Sequence, residues 1–162
     1  HEVGPLTDAL AGFRGGGARE GEQFGGRGLW HAGNVPRRGV RRAGGKGTFD
    51  DPVTIAVGHR IDGGRQTLDY PAGTMFYIER LRKYAIVEDV CGDGNKPQNG
   101  PCHTGHRGYP WLDIYIGGGK HSASVTDACA NKITALQRVV INPGPNYPVA
   151  AGEVTASGCK VF

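Results

Sequence analysis

Two short segments of alternating apolar and polar residues constrain the fold of this chain most. Residues 111–116 read WLDIYI, in which Leu112, Ile114 and Ile116 share one side of an extended strand. Residues 83–90 read KYAIVEDV and alternate in a similar way. Because successive side chains of a strand point to opposite faces, a period of two predicts β-strands. The segments therefore predict a sheet with a buried apolar face.

The first of these strands carries a carboxylate between two aromatic rings. Trp111, Asp113 and Tyr115 share the face opposite the apolar residues. Sugar rings stack their apolar faces on aromatic side chains, and their hydroxyl groups need hydrogen-bonding partners. This stripe therefore indicates a carbohydrate groove.

The second strand ends in an acid that differs from an ordinary surface charge. In strict alternation, Asp89 extends the apolar row of Ala85 and Val87, and Glu88 lies on the other face. Charged residues rarely continue a buried row without a partner. Asp89 is therefore a second candidate functional residue.

Glycine and proline limit the length of regular segments. The 162 residues include 29 glycines and 10 prolines, a composition that favours short strands and tight turns. One domain accommodates this length. We predict a mainly β domain over residues 47–162 and an irregular Gly/Arg-rich extension over residues 1–46, packed on it, in which Thr7 or Asp8 would cap a helical turn.

Local patterns assign the remaining segments. Residues 58–73 are polar and are predicted to form a loop, whereas residues 47–57 are predicted to form two strands around a turn. Residues 122–134 have helical character, with Ser124 as the cap.

The four cysteines indicate two disulfides. Local pairing would join Cys91 to Cys102 and Cys129 to Cys159, although three pairings are formally allowed. An even number of cysteines in a Gly-rich domain favours an oxidising, extracellular setting. We therefore expect a secreted protein, in its mature form because no signal peptide is evident.

Histidines raise two alternatives that involve metals. His1 would suit the copper histidine brace of lytic polysaccharide monooxygenases, but nothing marks its partner ligands. His103 and His106 beside Cys102 would suit zinc, but a cysteine in a secreted chain more often forms a disulfide. We therefore expect no metal and no cofactor.

The runs PAGTMFYIERLRKYAIVEDVCGD and PWLDIYIGG resemble the double-psi β-barrel of three-aspartate wall-lytic domains, including membrane-bound lytic transglycosylase A. They also resemble the related family forty-five endoglucanases and expansins. The runs ACANKIT and QRVVINPGPNY are similar to small secreted fungal barrel proteins, among them fungal muramidases. Over residues 47–162, the resemblance implies a six-stranded double-psi barrel with one or two short helices.

The resemblance also implies roles for the acids. LDIYIGG matches a motif whose aspartate is the general acid, which points to Asp113. EDVCGD matches a companion acid at Asp89, and GTFDDP matches the first barrel strand, where the endoglucanases keep their base, at Asp50 or Asp51. The base therefore stays open among three aspartates. The expected substrate-binding side chains are Trp111, Tyr115, Tyr109 and Trp30.

These features predict a monomeric muramidase that hydrolyses the glycan strands of bacterial peptidoglycan. A net charge of +4 would attract it to an anionic wall, with neither nucleic acid nor membrane as partner. Two alternatives remain open. A lytic transglycosylase needs only one acid, although the Gly-rich signature of the bacterial enzymes is replaced here by the Cys91–Cys102 loop. An expansin-like wall-binding protein or an inhibitor would bind without cleaving.

Overall fold

The computed structural model describes the chain over residues 6–11, 43–90, 104–105, 108–117 and 121–162. Its strands are β1 (Leu6–Ala11), β2 (Val53–Val57), β3 (His59–Asp62), β4 (Arg65–Leu68), β5 (Met75–Ile78), β6 (Lys83–Val90), β7 (Leu112–Ile114) and β8 (Ala135–Ile141). The helical segments with described bounds are the α-helix α1 (Ala123–Ile133) and the short 3₁₀ helices Glu79–Leu81 and Thr155–Ser157.

Six strands form one sheet in the order β1-β8-β5-β6-β2-β7. The β2–β6 pair is parallel, and the other neighbouring pairs are antiparallel. Cα atoms of the edge strands β1 and β7 approach within 8 Å, so the sheet curls towards itself. Strands β3 and β4 form a separate hairpin. The prediction of a mainly β fold with a short helix is confirmed.

The concave side of this sheet holds the hydrophobic core. The strands contribute alternate residues to it, as predicted for Leu112, Ile114 and Ile116, and Ile133 of α1 packs on the same cluster. Each fully buried Ile, Leu, Val or Phe side chain contributes about 1.5–3 kcal/mol to folding. The face of the sheet opposite this core is called the outer face below.

A tyrosine cluster fastens the segment that follows β8 to the outer face. Tyr77 and Tyr84 lie on β5 and β6, and the Tyr147 ring stacks on Tyr77 with 4.5 Å between the ring centroids. The Tyr84 hydroxyl donates to the carbonyl of Gly144 and accepts from the backbone N–H of Tyr147. The segment following β8 is therefore held against the sheet by both packing and hydrogen bonds.

A buried lysine fastens the chain a few residues further on. Lys83 is only 3% exposed. Its ammonium donates to the carbonyl of Ala150 and, at 2.6 Å, to that of Gly152. Burying a charged group is costly unless hydrogen bonds satisfy it. The two carbonyls therefore stabilise the buried ammonium, and the ammonium holds the segment that carries them.

The segment over residues 58–73, predicted to be a loop, contains the β3–β4 hairpin. Its two-residue turn is Gly63-Gly64, with φ angles of +56° and +79°. A two-residue turn with two positive φ angles matches the twist of the flanking strands, and glycine adopts positive φ angles readily. The Gly-Gly pair was therefore the overlooked hairpin signal.

Three further local predictions differ from the structure. Residues 47–50, predicted to form the first of two strands, form a bend, and the second strand is β2. Leu6–Ala11 lie within the segment expected to be irregular, but they form β1 and pair with β8. The strand pairing with β8 here outweighs the local preference of Thr7 or Asp8 for capping a helical turn. The cap of α1 is Ser122, whose Oγ accepts from the backbone N–H of Val125 at 3.3 Å, and Ser124 lies inside the helix.

The Cys129–Cys159 disulfide is present, as predicted, and joins α1 to the carboxy-terminal tail. The predicted Cys91–Cys102 bridge lies outside the described residues.

Replacing both Cys129 and Cys159 with alanine should lower the free energy of unfolding. The bridge spans 30 residues, and closing a loop of that length stabilises a protein by about 3–4 kcal/mol in the chain-entropy model. Urea denaturation of the double variant and the wild type measures the difference. A loss below about 1 kcal/mol would contradict a stabilising role for this bridge.

Candidate functional site

Asp89 and Asp113 flank one small residue of β2. Ala56 pairs with Asp89 of β6 on one side and with Asp113 of β7 on the other. Directly paired residues of neighbouring strands point to the same face. The two carboxylates therefore share the outer face, two strand spacings or roughly 10 Å apart between Cα atoms.

A β-bulge in β6 decides which face Asp89 takes. The pairing of β2 with β6 shifts between Ile55 and Ala56, so that Val87 pairs with Ile55 while Asp89 pairs with Ala56. Glu88 is the extra residue, because a bulge places two residues of one strand opposite one of the other. The prediction that Asp89 shares a face with Val87 is therefore wrong. The bulge moves Asp89 to the face of Ala56 and Asp113.

A third carboxylate lies on the same face. Glu88 is 2% exposed, Asp89 1% and Asp113 6%. The Thr54 hydroxyl donates to Glu88 Oε2 at 2.6 Å and accepts from the backbone N–H of Gly44 at 3.0 Å. Strict alternation had separated Glu88 from Asp89, so it was missed as a site residue. The two adjacent acids in the sequence VEDV could have identified Glu88 as a candidate site residue.

The two aromatic neighbours of Asp113 have different surroundings. The indole Nε1 of Trp111 donates to Asp113 Oδ1 at 2.8 Å. The Tyr115 ring is partly buried and packs on the core cluster, and its hydroxyl donates to Glu153 Oε2 at 2.9 Å. Trp111 thus contacts the acid directly, whereas the Tyr115 hydroxyl is engaged by Glu153.

The structure does not bring Asp50 and Asp51 to this site. They lie in a bend before β2, whereas Ala56 is the fourth residue of β2, roughly 10 Å from the start of the strand. Asp51 holds a turn, because its Oδ2 accepts from the backbone N–H of Lys46 at 3.2 Å and its carbonyl accepts from Gly47 at 2.9 Å. Of the three candidates for the base, Asp89 is the one placed beside Asp113.

The remaining candidates fall elsewhere. Tyr109 is exposed and precedes Trp111 by two residues. Trp30 lies outside the described residues, as do His1, His103 and His106. Within the described ranges, no three His, Cys, Asp or Glu side chains are grouped so as to hold a metal ion. No described helix is long and apolar enough to cross a membrane.

Comparison with known proteins gives a family. The family model described as DDB_G0273701 N-terminal domain matches residues 26–160, which include Glu88, Asp89 and Asp113. The chain belongs to this family. No curated protein and no solved structure matches the chain.

The Tyr115 hydroxyl should titrate late. Burial, followed by the hydrogen bond to Glu153 and the charge of that carboxylate, raises the pKa of Tyr115 from 10.0 to about 12. The folded protein therefore keeps this proton between pH 10 and 12, where the unfolded chain loses it. The resulting stability is complete below pH 10 and is lost as the pH rises towards 12.

The absorbance of phenolate, compared between the wild type and Tyr115→Phe, isolates this titration. Glu153→Gln should lower the pKa of Tyr115 because it removes the negative charge. An unchanged midpoint in Glu153→Gln would show that the carboxylate has no part in the shift.

Proposed function

We propose that this member of the DDB_G0273701 N-terminal domain family is a glycoside hydrolase, a muramidase that cleaves the glycan strands of bacterial peptidoglycan. Asp113 acts as the general acid and Asp89 as the general base. The observation that carries the proposal is the placement of both aspartates beside Ala56 on one face of the sheet.

The spacing of the two aspartates supports hydrolysis with inversion. Inverting glycosidases hold their carboxyl groups about 6.5–9.5 Å apart, which leaves room for a water molecule, whereas retaining enzymes hold them at about 5–5.5 Å. Asp89 and Asp113 lie two strand spacings apart, roughly 10 Å between Cα atoms, and the side chain that β2 places between them is the methyl group of Ala56. Carboxyl groups placed in this way can approach a glycosidic bond above Ala56 from two opposite sides.

The surroundings of each acid support its role. The Trp111 indole holds one oxygen of Asp113 and so orients the carboxyl group beside an aromatic surface on which a sugar ring can stack. Asp89, on the opposite side of Ala56, activates the attacking water.

The six-stranded double-psi barrel is part of this proposal. Its support is the curled sheet of six strands, in which β2 and β6 form the parallel pair and the edge strands approach each other. In the wall-lytic domains and endoglucanases that the sequence resembles, such a barrel presents the acid from a late strand. The position of Asp113 on β7 agrees with that arrangement.

A non-catalytic wall-binding protein is the second candidate function, because the acids are buried. At 1% exposure, Asp89 has little surface on which to meet water and a sugar. A carboxylate in such a position can instead stabilise the bulge through hydrogen bonds. The two candidates differ in whether a glycosidic bond is broken.

Asp113→Asn and Asp89→Asn should each abolish most lysis of purified bacterial walls. Asparagine preserves the shape but cannot transfer the proton, and a positioned acid or base contributes about 10²–10⁴-fold to the rate. Clearing of wall turbidity gives the rate, and mass spectrometry identifies the new ends. Asp127→Asn, which changes an exposed carboxylate on α1, is the matched control and should lyse at the wild-type rate.

The results separate the candidates. If either variant keeps more than about a tenth of the wild-type rate, its aspartate is not an acid or base catalyst. Products that all end in 1,6-anhydro sugars would identify a transglycosylase. Wild-type protein that binds walls without releasing fragments would identify a binding protein.

A further inference from the structure

We infer that a pocket on the outer face, beside β6, binds the N-acetyl group of an amino sugar. This assignment goes beyond the acid pair and rests on the proposed function for its choice of a wall glycan. The pocket has a volume of about 450 Å³, within the range of about 300–1,000 Å³ that is typical of small-molecule sites. The residues that line it include Phe49, Asp50, Met75, Ile86, Asn142 and Pro143.

The floor of the pocket is apolar. Met75 of β5 and Ile86 of β6 are directly paired, and Met75 also packs against the tyrosine cluster of the outer face. Ile86 is almost completely buried, and Pro143 adds to the lining from the segment after β8. A methyl group placed on this floor would leave water for an apolar surface, which is favourable.

Two polar side chains lie at the rim. Asp50 and Asn142 both line the pocket, and both are exposed. The backbone of Asn142 has a φ angle of +53°, and its N–H donates to the carbonyl of Met75 at 2.9 Å. This hydrogen bond ties the position of Asn142 to the end of β5. The rim thus offers a carboxylate acceptor and an amide that can donate.

An aromatic ring completes the wall. Phe49 is 39% exposed, and its ring meets Tyr84 in an edge-on contact, with 5.3 Å between the centroids. This contact holds the ring in one orientation while part of its surface stays open to solvent. The apolar face of a pyranose can stack on such a ring.

An acetamido group matches these features one by one. Its methyl group fits the floor of Met75 and Ile86, its N–H can donate to Asp50, and its carbonyl oxygen can accept from the amide of Asn142. The sugar that carries it can stack on Phe49. A plain hexose has a hydroxyl group at that position and would leave the apolar floor uncovered. The pocket therefore favours N-acetylhexosamines, the sugar class of peptidoglycan glycan strands.

The pocket is distinct from the acid pair. Ile86 and Asp89 pair with Thr54 and Ala56, which are two residues apart on β2, a distance of roughly 7 Å along a strand. The pocket would therefore hold a sugar beside the one whose bond is cleaved. Asp50, weighed as a base from the sequence, is assigned here to binding.

Binding of two matched oligosaccharides to the full chain tests the site. Chitotetraose carries an acetamido group on each sugar and cellotetraose carries none. The Asp113→Asn variant, studied by titration calorimetry, avoids cleavage during the measurement. Chitotetraose should bind at least about tenfold more tightly than cellotetraose, since the pocket groups would be unpaired with the latter.

Adding Asp50→Asn should weaken chitotetraose binding about tenfold, because the acceptor oxygen then lacks the negative charge that strengthens its hydrogen bond. Phe49→Ala should weaken it as well, and its urea midpoint will show whether the fold is intact. Asp127→Asn again serves as the control carboxylate and should bind like its parent. Equal binding of the two sugars, or chitotetraose binding unaffected by Asp50→Asn, would overturn the assignment.

The outcome is separable from that of the proposed function. If wild-type protein lyses no walls but its chitotetraose binding depends on Asp50, the binding site stands and the hydrolase is wrong. If the walls are lysed but binding does not depend on Asp50, the hydrolase stands and the pocket assignment is wrong.

Discussion

The register of β2 between β6 and β7 is the constraint on which the rest of the structure depends. β2 is buried along its whole length, with a parallel neighbour on one side and an antiparallel neighbour on the other. A shift of one residue would exchange its core and outer faces, so core burial strongly specifies this register. The two aspartates inherit their positions from it, because both are paired with Ala56.

The carboxylates of this site are buried, so their desolvation costs free energy that an open cleft would not require. Glu88, Asp89 and Asp113 are taken out of water, and each such group must be matched by hydrogen bonds or partners. Thr54 and Trp111 supply two of these bonds. The same fold buries the Lys83 ammonium against backbone carbonyls. Hydrogen bonds from Thr54 and Trp111 thus hold carboxylates of the outer face in one arrangement.

Sequence periodicity predicted β7 well and β6 only in part. In β7 the alternation is unbroken, so the apolar row of Leu112 and Ile114 enters the core as expected. In β6 the bulge adds one residue, so Asp89 takes the face opposite to the one that alternation predicts. A bulge is decided by how two strands fit together, so the alternation of one strand does not reveal it.

By itself, the sequence determined the mainly β class, the apolar face of β7, the disulfide between α1 and the tail, and the acids worth considering. These follow from local properties such as side-chain period, turn residues and cysteine spacing. Only the tertiary structure decided that Asp89 lies across Ala56 from Asp113, that Glu88 joins them, and that Asp50 and Asp51 lie apart. The physical reason is that strand pairing and bulges satisfy backbone hydrogen bonds between segments distant in sequence, so their outcome belongs to the assembled sheet.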